Sequence, residues 1–271
     1  MNRVHPVSFI SSPFPRIGEE PVTWGKERGC RLAENYKAVV DLNTGKLFSI
    51  VSKDYRLIRH EQAIEQVEEA IFKTASIGTY EAYTEFYNEG GRMRRTYRFP
   101  ETAVEINKGD LVDLELYLFN SYDRTWPLII LLGAFRLVCT NGLVVGQKYL
   151  HLRKRHVYEL GQINVSEEVL TALKRFRSQT KQWKRWAGKR LTRKGCSRVL
   201  ESMKPGIKAT EEIQKKVNDE AEGFEPDGFA VLTVWGFYNI LTWYISHYAV
   251  SLNHQVEMEG RLRRAIFHLM R

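Results

Sequence analysis

The hydrophobic periodicity of the chain changes once, near residue 160, and this limits the fold to one broad class. Before that point, apolar residues come in short alternating or continuous runs bounded by turn residues. Beyond it, they recur at three- and four-residue spacing. Strands first and helices second predict an α+β fold, with a mainly antiparallel sheet in the N-terminal half packed against C-terminal helices. Residues 31–271 read as a single domain, with its sheet over 31–160 and its helical part over 161–271. Residues 1–30, with four prolines and three glycines, read as an irregular arm.

The segments follow from local chemistry. Residues 36–42 and 47–51 are rich in β-formers and flank Asn43-Thr44-Gly45, which predicts a hairpin. Ile64, Val67, Ile71 and Ala75 give residues 60–75 one apolar helical face. Residues 79–88 and 92–99 flank Glu89-Gly90, read as a two-residue turn. That register sets Tyr87 opposite Arg92, Glu85 opposite Arg94 and Glu81 opposite Arg98, so Arg92, Arg94, Arg95 and Arg98 read as a structural ladder with Glu81 and Glu85 as partners. On residues 111–119, Val112, Leu114, Leu116 and Leu118 point inward and Asp113, Glu115 and Tyr117 outward. The apolar run 127–138 suits a central strand, and Asn141-Gly142 a turn. Ser166 starts a helix whose stripe is Leu170, Leu173, Phe176, Thr180, Trp183, Ala187 and Leu191. A short polar helix over 209–217 and a long apolar helix from about Phe229 follow.

Charge supplies the functional signal. The formal charge is +9 over 271 residues, yet residues 148–204 alone carry sixteen Lys or Arg against four Glu, a local +12 that leaves the rest at −3. Such a segment predicts a polyanion-binding surface. Lys174, Arg175, Arg177, Lys181, Lys184, Arg185, Lys189, Arg190, Arg193, Lys194 and Arg198 fall in one predicted helical region whose only acid is Glu201. Like charges at helical spacing cost stability unless something neutralises them, which a phosphate backbone does. Phe176 and Trp183 lie on the apolar stripe and read as core. Trp186, at its edge, joins the cations as a ring for base stacking, which favours single strands. Arg153 and Arg155, sharing a strand face, read either as an extension of the same surface or as a solvated hairpin tip.

Three motifs in order carry a family resemblance: Tyr36-Lys37-Ala38-Val39-Val40 through Val51-Ser52-Lys53-Asp54-Tyr55; Phe135-Arg136-Leu137-Val138-Cys139-Thr140-Asn141-Gly142; and Thr233-Val234-Trp235-Gly236-Phe237-Tyr238-Asn239 with Thr242 and His247. Over residues 30–255 the chain resembles the phage/plasmid-like proteins grouped as domain of unknown function 932. The resemblance implies a mobile-element setting and no established reaction. Its patterns fall on Arg136, Cys139 and Asn141, and on Trp235, Asn239, Thr242 and His247. Gly142 stands where Thr is common in that family.

Other chemistries are weighed on their residues. Cys139, Asn141 and His247 supply the types a thiol nucleophile needs, and read in parallel as a small core residue, a turn former and an interior histidine. Asp113 and Glu115, with Asp110 nearby, are the carboxylates a metal-dependent nuclease would use, and read equally as surface acids. The histidine pairs lack the acid or cysteine partners of a zinc site, and no phosphate-cradling NTPase loop occurs. No cofactor and no metal are expected. Three scattered cysteines fit a reducing compartment and hence the cytoplasm. Residues 228–256 lack charge but carry many polar groups, so they read as a buried helix and no membrane is expected. The function expected is a non-catalytic nucleic-acid-binding protein of a phage, prophage or plasmid, with single-stranded DNA favoured, in recombination or annealing. An anti-defence protein binding a host factor and an enzyme are the alternatives, and homo-oligomerisation is left open.

Overall fold

The structure is a computed structural model that describes residues 14–25, 29–74, 77–136, 148–154, 165–248 and 252–270. The fold is α+β, with two antiparallel sheets and six helices among the described residues, mostly in the C-terminal half. Strands β1 (Ile17–Trp24), β2 (Arg31–Asp41) and β3 (Leu47–Ser52) form a sheet in that order. Strands β4 (Glu81–Tyr87), β5 (Arg92–Asn107), β6 (Asp110–Ser121), β7 (Leu128–Arg136) and β8 (Lys148–Lys154) form a five-stranded meander, also in chain order. The helices are α1 (His60–Phe72), α2 (Val165–Ala187), α3 (Arg193–Met203), α4 (Ile207–Asp219), α5 (Val234–Tyr248) and α6 (Leu252–Leu269).

The chain divides into two compact units. The first comprises Met1–Ala103, Asp113–Gly133 and Lys148–Arg175. The β2–β3 turn forms where expected: the Asp41 carboxylate accepts from the Asn43 amide (3.0 Å) and the Thr44 hydroxyl (2.9 Å), and Gly45 takes φ +72°. Ile17, Val39, Val51, Tyr55 and Tyr122 pack into one core cluster. The first thirty residues are not all irregular: β1 pairs with β2 from Ile17↔Asp41 to Trp24↔Arg31, with a register shift at Pro21. That proline has no N–H for a ladder, which is why the sequence hid the strand.

The β4–β5 register is the expected one, with Tyr87↔Arg92, Glu85↔Arg94 and Glu81↔Arg98. The connection is a four-residue loop over 88–91 rather than a two-residue turn, with positive φ at Asn88, Glu89 and Gly90. Contacts beyond the hairpin hold it: the Asn88 amide donates to Asp123 (3.0 Å), and the Gly90 carbonyl accepts from His60 Nε2 (3.0 Å). Met93, Tyr97 and Phe99 are fully buried on one face of β5, and Arg95 reaches Glu68 of α1 at 2.8 Å. On β6, Val112, Leu114, Leu116 and Leu118 are buried as expected.

The second unit comprises Val104–Val112, Ala134–Gln147 and Phe176–Arg271. Here α3 and α5 pack on α6, and α4 on α5. Thr192 caps α3 by accepting from the Gly195 amide at 3.1 Å. The apolar helix α5 begins at Val234, later than the sequence suggested, because residues 222–231 form a small hairpin through Phe224↔Ala230. Among the described residues no helix is long and apolar enough to cross a membrane.

Candidate nucleic-acid interface

The geometry of α2 is set by its apolar spacing. Val165, Val169, Ala172, Leu173, Phe176, Thr180, Trp183 and Trp186 are all buried, at three- and four-residue steps. The opposite face carries Lys174, Arg177, Lys181, Lys184 and Arg185 at the same steps, and Arg175 lies near the border; all six are exposed. No Asp or Glu occurs between Glu168 and Glu201. Lys174, Arg175, Lys181, Lys184 and Arg185 make no ion pair among the described residues. At about 1.5 Å rise per residue the stripe is about 16 Å long. That length matches about five phosphates of one strand.

Trp186 lies in the core rather than beside the cations at the surface. It is 3% exposed and packs against Tyr238 with ring centroids 5.1 Å apart. Leu170, expected inside, is 38% exposed. The buried stripe is rotated by about one residue from the expected one, since two tryptophans bury far more area than one leucine does. Phe176 and Trp183 are core, as expected, and the helix presents no exposed ring for a base to stack on.

The basic run does not continue as one helix. It breaks after Ala187 and resumes at Arg193. In the break, Lys189 Nζ donates to the Leu269 carbonyl (3.1 Å) and Arg190 meets Glu225 at 3.0 Å. Arg193 meets Asp227 at 2.6 Å and lies 4.8 Å over the Phe229 ring. Lys194 and Arg198 are exposed on α3. Arg153 is exposed on the edge strand β8, and Arg155 lies outside the described residues.

The carboxylates of β6 are not surface acids. Asp113 is 2% and Glu115 8% exposed, and they share one guanidinium: Arg98 lies 3.0 Å from Glu115 and 3.7 Å from Asp113. Arg98 therefore turns to β6 and not to its cross-strand neighbour Glu81, while Arg94 pairs with Glu85 and Arg92 with Asp123. The Tyr117 hydroxyl donates to Glu115 at 2.6 Å. Burial first, then the charge of Glu115, pushes the Asp113 carboxyl up to about 6 against the pull of Arg98. An arginine lodged between both carboxylates occupies the place a catalytic cation would need. Among the described residues no group of three His, Cys, Asp or Glu is placed to hold a metal ion.

On α5, Trp235 Nε1 donates to Asp110 Oδ2 at 2.6 Å, and the Trp235 ring stacks on Tyr238 at 5.8 Å. Asn239 and Thr242 are buried, the Thr242 hydroxyl donating to the Tyr238 and Asn239 carbonyls (3.0 and 2.9 Å). The family model described as a domain of unknown function (DUF932) matches residues 47–267. The chain belongs to the DUF932 family. No curated protein and no solved structure matches it.

Within the DUF932 region, the late motif divides by burial. Trp235, Asn239 and Thr242 are interior, whereas His247 is exposed, its Nδ1 donating to the Trp243 carbonyl at 2.8 Å. His247 is thus not the interior histidine expected. Arg136 ends β7, and Cys139 and Asn141 lie outside the described residues.

Two arrangements in the DUF932 region escaped sequence reasoning. His60 is fully buried, stacked on Tyr122 at 4.0 Å; its Nδ1 accepts from Asn120 (3.0 Å) and its Nε2 donates to Gly90, which fixes one neutral tautomer. Three buried donors, Trp183 Nε1, Trp186 Nε1 and Asn239 Nδ2, find no acceptor among the described residues. No spacing in the sequence signals either, since both depend on contacts between distant segments.

Proposed function

We propose that this DUF932 protein is a non-catalytic nucleic-acid-binding protein that holds the phosphate backbone along α2. The observation that carries this reading is the stripe of exposed cations opposite the buried face of α2, with no acid in the intervening sequence. Each phosphate neutralised there would release condensed counterions, the dominant force in sequence-independent binding. Without an exposed ring on α2, base stacking is not part of the reading. Single-stranded DNA remains a substrate, and the helix offers duplex DNA the same contacts. The family resemblance adds a phage, prophage or plasmid setting in the cytoplasm, where recombination or annealing would call for such a protein.

The test is fluorescence anisotropy with a 30-nucleotide single strand and its duplex between 50 and 200 mM salt. The variant K181A/K184A/R185A is expected to bind about a hundredfold more weakly at 100 mM, with a salt slope shallower by about 2 to 3. Wild-type affinity independent of salt would remove the reading.

A further inference from the structure

The sequence that follows α4 is acidic where α2 is basic. Asp219, Glu220, Glu222, Glu225 and Asp227 come within nine residues, and no Lys or Arg occurs between Lys216 and Arg261. Part of this segment is a built hairpin. The Glu222 amide donates to the Val231 carbonyl (2.9 Å), the Val231 amide to Gly223 (2.8 Å), and the Glu225 amide to Phe229 (2.8 Å). Its outgoing strand is tied to the end of the basic run by Arg190↔Thr233, with the Leu191 amide donating to Leu232 (2.8 Å) and the Val234 amide to Lys189 (2.8 Å). At its tip Glu225 and Asp227 hold Arg190 and Arg193.

These ion pairs are not what keeps the hairpin in place. The side chains of Arg190, Arg193 and Asp227 are 58–60% exposed, and that of Glu225 is 37% exposed. Exposed pairs contribute little to stability, while the backbone bonds hold the hairpin. Two carboxylates therefore stand on two arginines of the basic run, at a distance a phosphate oxygen would take.

We infer that the hairpin over residues 222–231 is a built-in competitor of nucleic acid, occupying Arg190 and Arg193 until a phosphate backbone displaces Glu225 and Asp227. The inference rests on the reading of α2 as a nucleic-acid interface and names the regulation of that site. Binding begins on α2, where Lys174, Arg175, Lys181, Lys184 and Arg185 make no ion pair among the described residues, and extends to Arg190 and Arg193 only as the acids are released. Low salt and long strands favour the extended state.

The experiment compares four variants with wild type in the anisotropy assay with a 30-nucleotide single strand: E225Q/D227N, E225Q alone, the charge-matched control E211Q/E212Q on α4, and K181A/K184A/R185A. The expected result is that E225Q/D227N binds about tenfold more tightly at 100 mM salt, with a slope steeper by about 1 to 2, as one or two added phosphate contacts require. The control should change affinity less than about twofold, because Glu225 and Asp227, and not Glu211 or Glu212, hold Arg190 and Arg193. E225Q alone, which keeps the Asp227 carboxylate accepting from the Phe229 amide (3.1 Å), should give part of the gain and guards against a folding defect in the double variant. Equal affinities for E225Q/D227N and the control, with K181A/K184A/R185A still weakened, would overturn the competitor and leave the α2 reading standing. Wild-type affinity in K181A/K184A/R185A would remove both.

Discussion

Asp113 is a carboxyl buried beside a second carboxyl, Glu115. Its folded carboxyl takes up a proton near pH 6 because burial and Glu115 outweigh Arg98. The unfolded carboxyl does so near 3.8. Between those values the folded state binds the proton that the unfolded state has lost, so this group's contribution to stability falls as pH rises from about 4 to 6 and stays low above it. Asp113→Asn removes the penalty. It should raise stability at pH 7.5 by on the order of 1–3 kcal/mol, with little change at pH 4, measured by urea unfolding at both. A loss of stability at pH 7.5 would mean that the carboxylate is held by something other than Arg98. The sequence revealed that Asp113 and Glu115 share a strand face but not that this face is closed to solvent, because alternation reports two faces and not what covers each.

At the scale of the element, α2 separates two roles the sequence blended. Its cations were legible, since six residues of one sign leave no arrangement in which all are buried. Its rings were not, because the stripe can rotate by one residue at no cost visible in the pattern, and Trp186 went in where Leu170 came out. The account therefore predicts different fates for two substitutions. Trp186→Ala should cost about 3–5 kcal/mol of stability. Trp186→Phe should fold and bind a single strand within about twofold of wild type, read by thermal melting and anisotropy. A selective loss of single-strand binding in Trp186→Phe, with the fold intact, would return the ring to the interface. The β4–β5 register followed from opposite charges and turn position alone, whereas the loop at 88–91 did not, because His60 and Asp123, far away in sequence, set it.

For the whole molecule, the order of strands and helices was legible from one change of periodicity, and two sheets took the place of the single expected one. The division into two sheets escapes periodicity because alternation is the same in both. The proposed function rests on charge distribution: a segment of +12 in a chain otherwise at −3, with a stripe of exposed cations on α2 and two arginines held by the acidic hairpin. Lysine-reactivity footprinting by mass spectrometry, with and without a saturating 30-nucleotide strand, locates the contact on the full chain without any substitution. The account predicts protection concentrated at Lys174, Lys181 and Lys184, with Lys37, Lys46 and Lys215 labelled as in the free protein. Uniform labelling, or protection centred on Lys37 and Lys46, would contradict it.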